Sequence, residues 1–284
     1  MLKVFTDRID RDNRTLKEIK YHYEIEVELA DKLRNANTEE RRYLYTNVYN
    51  ELFNRVPSHP QLVNKTSQDV RLRRVASEMV LVKRFISRDT IFLEVGAGDC
   101  WFSKEVAKVV HHVIAIDVSH RIIQGVNVPS NVTIMLSDGT NIPVKYNSID
   151  VVYSNQLMEH LHPDDAKEQL RSILVSLRPS GFYICVTPNK LNGPHDISRG
   201  FDDIASGFHL KEYLNSELHD IFVDVGFRNI CFIAYFRHKV FIIPKSIVLS
   251  LEKFLLLLPS EYRKVISSMT ISRELLGVRI VGRK

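Results

Sequence analysis

Three carboxylates and a pair of glycines stand where a chain could grip a small charged ligand. Glu94 lies inside the apolar run Ile91–Val95 and is followed by Gly96-Ala97-Gly98. Asp117 closes the run Val113–Ile116, Asp138 precedes Gly139 after the run Val132–Leu136, and Asn155 follows the run Ile149–Tyr153. A carboxylate accepts several donors at once, hydroxyl or ammonium. A glycine turn lets backbone N–H groups come close to a ligand and aims the next helix at it. A lone carboxylate inside an apolar run is costly to bury, so Glu94 requires a partner. His160, which follows Glu159, and His195 and His209, in the long loop and near its end, are side chains of a type that titrates near neutral pH and are the candidate proton acceptors.

The elements that must position these residues follow from periodicity. The four apolar runs are short and rich in β-branched and aromatic residues, as in buried parallel strands, and each ends in a polar residue, so four tips line one crevice. Trp101–Val110 reads as the first crossover helix. Pro163 takes the first helical position after His162, and Ala166, Leu170, Ile173, Leu174 and Leu177 form one apolar stripe, ended by Arg178, Pro179 and Gly181. Phe182–Thr187 is a fifth strand, Leu210–Val225 a helix closed by Gly226, Asn229–Phe236 a sixth strand and Gly277–Gly282 a seventh. The loop from Pro188 to His209 is long enough to be functional. Ahead of this core, Leu16–Leu33, the segment opened by the Asn37/Glu40 capping box and ended by Pro57 and Pro60, and Asp69–Phe85 carry helical stripes; Met1–Thr15 is a polar arm. The expectation is an α/β chain: a Rossmann-like, seven-stranded, mostly parallel sheet with helices on both faces, an N-terminal helical cap over 1–82, a core over 83–284, and a helical insertion over 239–274 before the last strand.

The ordered segments LEVGAGDC, AIDVS, LSDGTNIPVKYNSIDVVYSNQLMEHL and LRPSGFYICVTPN resemble the successive motifs of the class I S-adenosylmethionine-dependent methyltransferases, most nearly their small-molecule branch, over roughly half of the chain from Lys83 to Phe236. The resemblance implies S-adenosylmethionine as cofactor and S-adenosylhomocysteine as product. It implies that Gly96, Ala97 and Gly98 admit the methionine part and that Glu94 reaches the ammonium group. It further implies that Asp117 with Val118 takes the ribose, that Asp138, Gly139 and Ile142 hold the adenine, and that Asn155 offers its carbonyl to the ammonium. His160 would face the methyl-transfer end, and the N-terminal helices would cap the acceptor. The sequence departs from many relatives at Cys100 and Trp101, which replace small residues beside the turn. The acceptor expected is a small molecule, methylated on oxygen or nitrogen, with hydrophobic or sugar- or lipid-linked character.

Composition narrows the rivals. A net charge of +5, a 44% hydrophobic share and a 26% charged share over 284 residues are ordinary for a soluble globular protein. Cys100, Cys185 and Cys231 are scattered, so neither a disulfide framework nor a metal is expected and the cytoplasm is the expected compartment. Met1–Asp12 is charged, unlike a signal peptide, and no apolar stretch is long enough to span a bilayer. A nucleic-acid methyltransferase is disfavoured: the place after the fourth strand reads Ser154-Asn155-Gln156-Leu157 without paired prolines, Thr187-Pro188-Asn189 offers no nucleophilic cysteine, and no basic run interleaves with aromatics. A nicotinamide oxidoreductase would share the first turn and Asp117 but lacks its third glycine, replaced by Trp101. A non-catalytic adaptor contacting a membrane peripherally is motivated by Ile242–Leu258. Monomer and homodimer stay open.

Overall fold

A computed structural model describes residues 14–63, 68–236 and 239–284. The polar arm expected at the N-terminus lies outside the described residues up to Asn13. Helix α1 (Leu16–Asn35) opens on a capping box between Thr15 and Glu18, and α2 (Thr38–Arg55) on the expected one between Asn37 and Glu40. Each box satisfies two backbone N–H groups that a helix start leaves unpaired. A single turn, α3 (Pro60–Val63), follows the proline break, and α4 (Gln68–Val82) is the last helix before the sheet.

The sheet has eight strands among the described residues: β1 (Ile91–Val95), β2 (His112–Asp117), β3 (Val132–Leu136), β4 (Ile149–Asn155), β5 (Leu177–Thr187), β6 (Arg228–Phe236), β7 (Lys239–Ile243) and β8 (Val278–Arg283). Their order is β3-β2-β1-β4-β5-β8-β6-β7. The first five are parallel, whereas β8 runs antiparallel between β5 and β6. The chain order reverses between β1 and β4, and in open parallel sheets the crevice beyond the strand ends at such a point binds ligands.

Side-chain alternation divides the core in two. On one face Phe92, Val113, Ala115, Val151, Tyr153 and Ile184 pack with α4 and with α5 (Trp101–Val106). On the other, Leu93, Val95, Ile116, Val152, Tyr183 and Cys185 pack with the cap, with α7 (Pro163–Ser176) and with α8 (Asn215–Val225). Each fully buried Leu, Val or Phe on these faces contributes about 1.5–3 kcal/mol relative to exposure. Between β2 and β3 the crossover holds only a single turn, α6 (His120–Ile123).

Several boundaries differ from the sequence reading. The segment from Lys239 is not helical at its start: Val240, Phe241, Ile242 and Ile243 extend as β7 on the edge of β6, as β-branched and aromatic runs favour. The insertion becomes helical only in α9 (Lys245–Leu256), α10 (Ser260–Ser268) and α11 (Thr270–Leu276). Helix α5 ends at Val106 rather than Val110, because Lys108 and Val109 donate to carbonyls only three residues back. Helix α4 likewise stops at Val82, short of Phe85. Helix α8 starts five residues later than the pattern at Leu210 suggested; Tyr213 is instead drawn into a bridge with Asn189, and the Asn215 and Ser216 N–H groups donate to the Glu252 carboxylate at 2.7 and 3.0 Å. That carboxylate, buried on α9, ties the insertion to the core.

Candidate cofactor and acceptor site

The glycine turn sits at the carboxyl end of β1. Gly96, Gly98 and Cys100 have φ of 77°, 53° and 58°, the left-handed region. Glycine takes this region freely, and Cys100 takes it at a cost of about 1–2 kcal/mol. The Gly96 and Ala97 N–H groups donate to the Ile116 carbonyl at 2.8 and 3.0 Å, and Gly98 N–H donates to Asp117 Oδ2 at 2.8 Å. Ser119 N–H donates to Asp117 Oδ1 at 2.9 Å. The turn is thereby fastened to the tip of β2, and each Asp117 oxygen keeps a lone pair for another donor. Burial raises the Asp117 carboxyl against the lowering effect of those N–H groups.

Glu94 points to the α5 face, where Ser103 Oγ donates to Oε2 at 2.5 Å. Burial pushes its carboxyl up to about 8; Ser103 opposes the shift and the charges of Glu78, Asp117 and Asp99 add to it. A cationic group placed beside it would restore the charged form. Trp101 does not obstruct the turn. Its ring lies between Arg71, whose guanidinium carbon is 5.3 Å from the ring centre, and Lys104, whose Nζ is 5.7 Å away. No atom lies within 4 Å of where a Cβ on Gly98 would project.

Asp138 uses Oδ1 within its own turn, accepting from Thr140 N–H at 2.9 Å, Thr140 Oγ1 at 3.1 Å and Asn141 N–H at 2.7 Å. Burial works against these bonds, but they and Arg42 hold the carboxyl below its usual range. Gly139, at φ 93°, donates its N–H to Ser137 Oγ at 3.1 Å and accepts from Gln169 Nε2 at 2.6 Å. Asn155 ends β4 and does not cap the short 3₁₀ turn Met158–His160, whose capping residue is Leu157. Leu157 instead covers the glycine turn: a Cβ on Gly96 would meet its Cδ1 at 3.2 Å.

The cap closes over these tips. Thr46 Oγ1 donates to the Val118 carbonyl at 2.9 Å. The Tyr45 ring lies 2.9 Å from where a Cβ on Gly139 would stand, and its hydroxyl donates to Asp165 Oδ2 at 2.6 Å. Tyr23 on α1 donates to Asp202 Oδ2 at 2.7 Å and stacks on Phe201, which pins the long loop after β5 to the cap.

The three candidate histidines part company. His160 and His209 come together with ring centres 4.9 Å apart. His160 Nδ1–H donates to the Phe208 carbonyl at 3.0 Å; burial, with His209 nearby, pushes the imidazole down to about 3, so it is neutral. His209 Nδ1 lies 2.8 Å from Glu212 Oε1; burial lowers its pKa, but Glu212, Glu159 and Asp196 together outweigh that and raise it. His195 sits apart, with Nε2 at 3.0 Å from both the Asn189 carbonyl and Asn192 Oδ1, at the wall of a cavity of about 250 Å³ shared with the insertion. A second cavity, about 130 Å³, lies beneath the cap and is lined by Glu26, Tyr49, His59, His160, Asp196 and His209. Glu26, His59 and Tyr45 were not singled out from sequence. Only the four-residue spacing of His22 and Glu26, one helix face, signalled part of this group.

The chain carries the expected α/β scaffold, and its relatives agree on the class. Residues 93–185 match the family model for a methyltransferase domain. Two sequences from Mycobacterium tuberculosis strains, each described as a probable S-adenosylmethionine-dependent methyltransferase, are 30% identical over 158 residues, 55% of this chain and 55% of theirs. The matched region therefore spans about half the length of those relatives. A solved structure of an S-adenosylmethionine-dependent methyltransferase from Archaeoglobus fulgidus aligns with a TM-score of 0.51 at 17% identity, covering 75% of this chain and 94% of that one. A chain from the complex of the Haloferax volcanii Trm112 methyltransferase activator with a methyltransferase aligns with a TM-score of 0.55 at 14% identity, covering 78% and 94%. Residues 93–185 are similar to a methyltransferase domain, and the residues at the strand tips fit S-adenosylmethionine: Asp117 retains acceptor capacity on both oxygens, Glu94 supplies a buried carboxyl, and the glycine turn is open at Gly98.

Proposed function

We propose that this protein transfers a methyl group from S-adenosylmethionine to an oxygen or nitrogen of a small acceptor of hydrophobic or sugar- or lipid-linked character. The observation that carries the reading is the fastening of the glycine turn to Asp117 through Gly98 N–H. It presents one carboxylate and one approachable backbone at the switch point of the sheet. When bound, the cofactor supplies a methyl group already activated on a sulfonium, so the protein has mainly to position the acceptor and exclude water.

In this reading Asp117 and Val118 hold the ribose, and Gly96, Ala97 and Gly98 admit the methionine part. Glu94 and Asn155 take the ammonium group, while Asp138, Gly139 and Ile142 border the adenine. His160 and His209 stand at the acceptor end as the candidate catalytic residues, where they orient the acceptor. His195 serves the neighbouring cavity from the long loop. The cap, 1–82, covers the acceptor over the core, 83–284. Support for a hydrophobic or lipid-linked acceptor comes from the insertion, 239–274, whose Phe241, Ile247, Phe254, Leu257, Val265 and Ile271 are exposed. Peripheral contact with a bilayer fits this surface; no helix among the described residues is long and apolar enough to cross one. Three free thiols fit a reducing compartment such as the cytoplasm.

Titration with S-adenosylhomocysteine in a calorimeter tests the reading: saturable binding that weakens in Asp117→Ala is expected. A folded wild-type protein that takes up no S-adenosylhomocysteine would overturn it. His209→Ala should then lower turnover with little change in cofactor affinity.

A further inference from the structure

Two groups of metal-capable side chains, His22–Glu26–His59 and Glu159–His160–His209, each contribute two residues to the wall of the cavity beneath the cap, with His22 and Glu159 set behind it. They differ in what their donor atoms already do. In the first group, His22 Nε2–H donates to Glu26 Oε1 at 2.7 Å while Arg14 donates to Nδ1 at 2.8 Å, and Phe208 N–H donates to Glu26 Oε2 at 3.3 Å. In that group both ring nitrogens of His22 and both oxygens of Glu26 are already taken by hydrogen bonds.

In the second group the bonds point outward. His160 Nδ1 is engaged by the Phe208 carbonyl and His209 Nδ1 by the Glu212 carboxylate, which leaves Nε2 of each ring as the unshared donor atom. A carbonyl or carboxylate on the far nitrogen is the arrangement that fixes the ring and its tautomer in metal-binding histidines. Glu159 is wholly buried; Thr187 Oγ1 donates to Oε2 at 2.7 Å, and Oε1 has no hydrogen-bond partner among the described residues. A buried carboxylate oxygen without a donor is costly, and a cation removes that cost. One ligand atom from each of the three residues lies within 4.8 Å of the others, and an ion about 2.1 Å from each in a tetrahedral arrangement would draw them to about 3.4 Å apart. The second group spans two segments, with Glu159 and His160 in the 3₁₀ turn beyond β4 and His209 at the end of the long loop.

We propose that Glu159, His160 and His209 form a binding site for a divalent first-row transition-metal ion of the zinc class. Two imidazole nitrogens and one carboxylate oxygen suit such an ion better than magnesium or calcium, which prefer all-oxygen sets. Three protein ligands leave a coordination position open, as in sites that bind a small molecule, and the cavity bordered by His160, His209 and Asp196 is where an acceptor oxygen would take it. Only this role for the open position rests on the methyl-transfer reading; ion binding does not require cofactor or acceptor.

The test uses the full-length protein stripped with a chelator, titrated with Zn2+ in competition with a chromophoric chelator, with bound zinc counted by elemental analysis after dialysis. One zinc per chain is expected. Glu159→Gln and His209→Ala should each weaken it by about 100-fold or more, and His160→Asn by at least about tenfold, with folding checked by circular dichroism. His22→Ala should bind as the wild type does. No stoichiometric zinc in the wild type overturns the site, as does binding lost in His22→Ala but kept in the folded variant among Glu159→Gln, His160→Asn and His209→Ala. S-adenosylhomocysteine titration of the same samples separates the two readings: intact cofactor binding without zinc sinks the metal site alone, and zinc without cofactor binding sinks the methyl-transfer reading alone.

Discussion

Arg41 grips both oxygens of Asp165, Nε to Oδ2 at 2.6 Å and Nη2 to Oδ1 at 2.7 Å, with both side chains buried. The pair joins α2 of the cap to the first turn of α7. Tyr45 donates to the same carboxylate, and its hydroxyl accepts the His162 N–H at 2.9 Å. Removing one partner of a buried pair strands the other charge. Arg41→Ala is expected to lower stability by about 3–5 kcal/mol in chemical denaturation. Arg42→Ala, which breaks the exposed pair with Glu168, should move the unfolding midpoint little. Equal effects for the two would show that the buried pair is not what holds the cap.

Asp117→Ala should weaken S-adenosylhomocysteine binding by about 1.5–3 kcal/mol, the loss of charge-assisted hydrogen bonds. It also releases Gly98 N–H, so the glycine turn loses one of its fastenings. Unchanged affinity in a folded variant removes Asp117 from the site.

Glu94 gives the protein a distinctive pH profile. Its carboxyl is held near 8 in the folded chain, against an ordinary value of 4.5. Below about 4.5 it is neutral in both states. Between about 4.5 and 8 the unfolded chain releases the proton while the folded chain retains it, so the group's contribution to stability is lost as pH rises through this window. Glu94→Gln abolishes that term. Urea unfolding at pH 5, 6.5 and 8 should show the variant gaining on the wild type at each step; a constant difference would count against a neutral buried Glu94.

Gly139 carries two constraints at once, a φ of 93° and the Tyr45 ring 2.9 Å from any added Cβ. Gly139→Ala should cost about 1–3 kcal/mol. Gly125→Ala, also at positive φ but with no atom within 4 Å of its Cβ position, should cost less. Thermal melts compare the two, and a Gly125 effect as large as that at Gly139 would show that the Tyr45 contact adds nothing.

The apolar face of the insertion predicts affinity for anionic vesicles. Leu257 and Ile271 are 78% and 68% exposed, and Lys245, Lys253, Arg263 and Lys264 stand on the same segment. Flotation with phosphatidylserine-containing vesicles should recover the wild type, and Leu257→Asp with Ile271→Asp should reduce recovery by about tenfold or more. S-adenosylhomocysteine affinity should be unchanged. Vesicle binding that ignores both substitutions would remove the insertion as the contact.

The parallel core was legible because its signals are local. Phe92 and Leu93 read as strand residues wherever they are placed, Pro163 and Gly226 mark helix ends by their own stereochemistry, and Glu94 announced a buried partner by its setting. The strand tips were legible for the same reason. What was hidden depends on residues distant in sequence. Nothing near Leu210 reveals that Glu252 supplies the acceptor on which α8 begins. Lys239–Ile243 became an edge strand because β6 offered it a partner. The meeting of His160 with His209 arises from the folding back of the long loop, and the departure of His195 to another cavity follows from the same turn.

Glu252 bears on how the protein would meet a bilayer. Because its carboxylate accepts from the first N–H groups of α8 from inside the insertion, the apolar segment is tied to a helix of the core rather than hung from it as a tethered flap. Contact with a lipid surface would therefore set the tilt of the entire molecule, and with it the angle at which the mouth between cap and strand tips looks toward the headgroups.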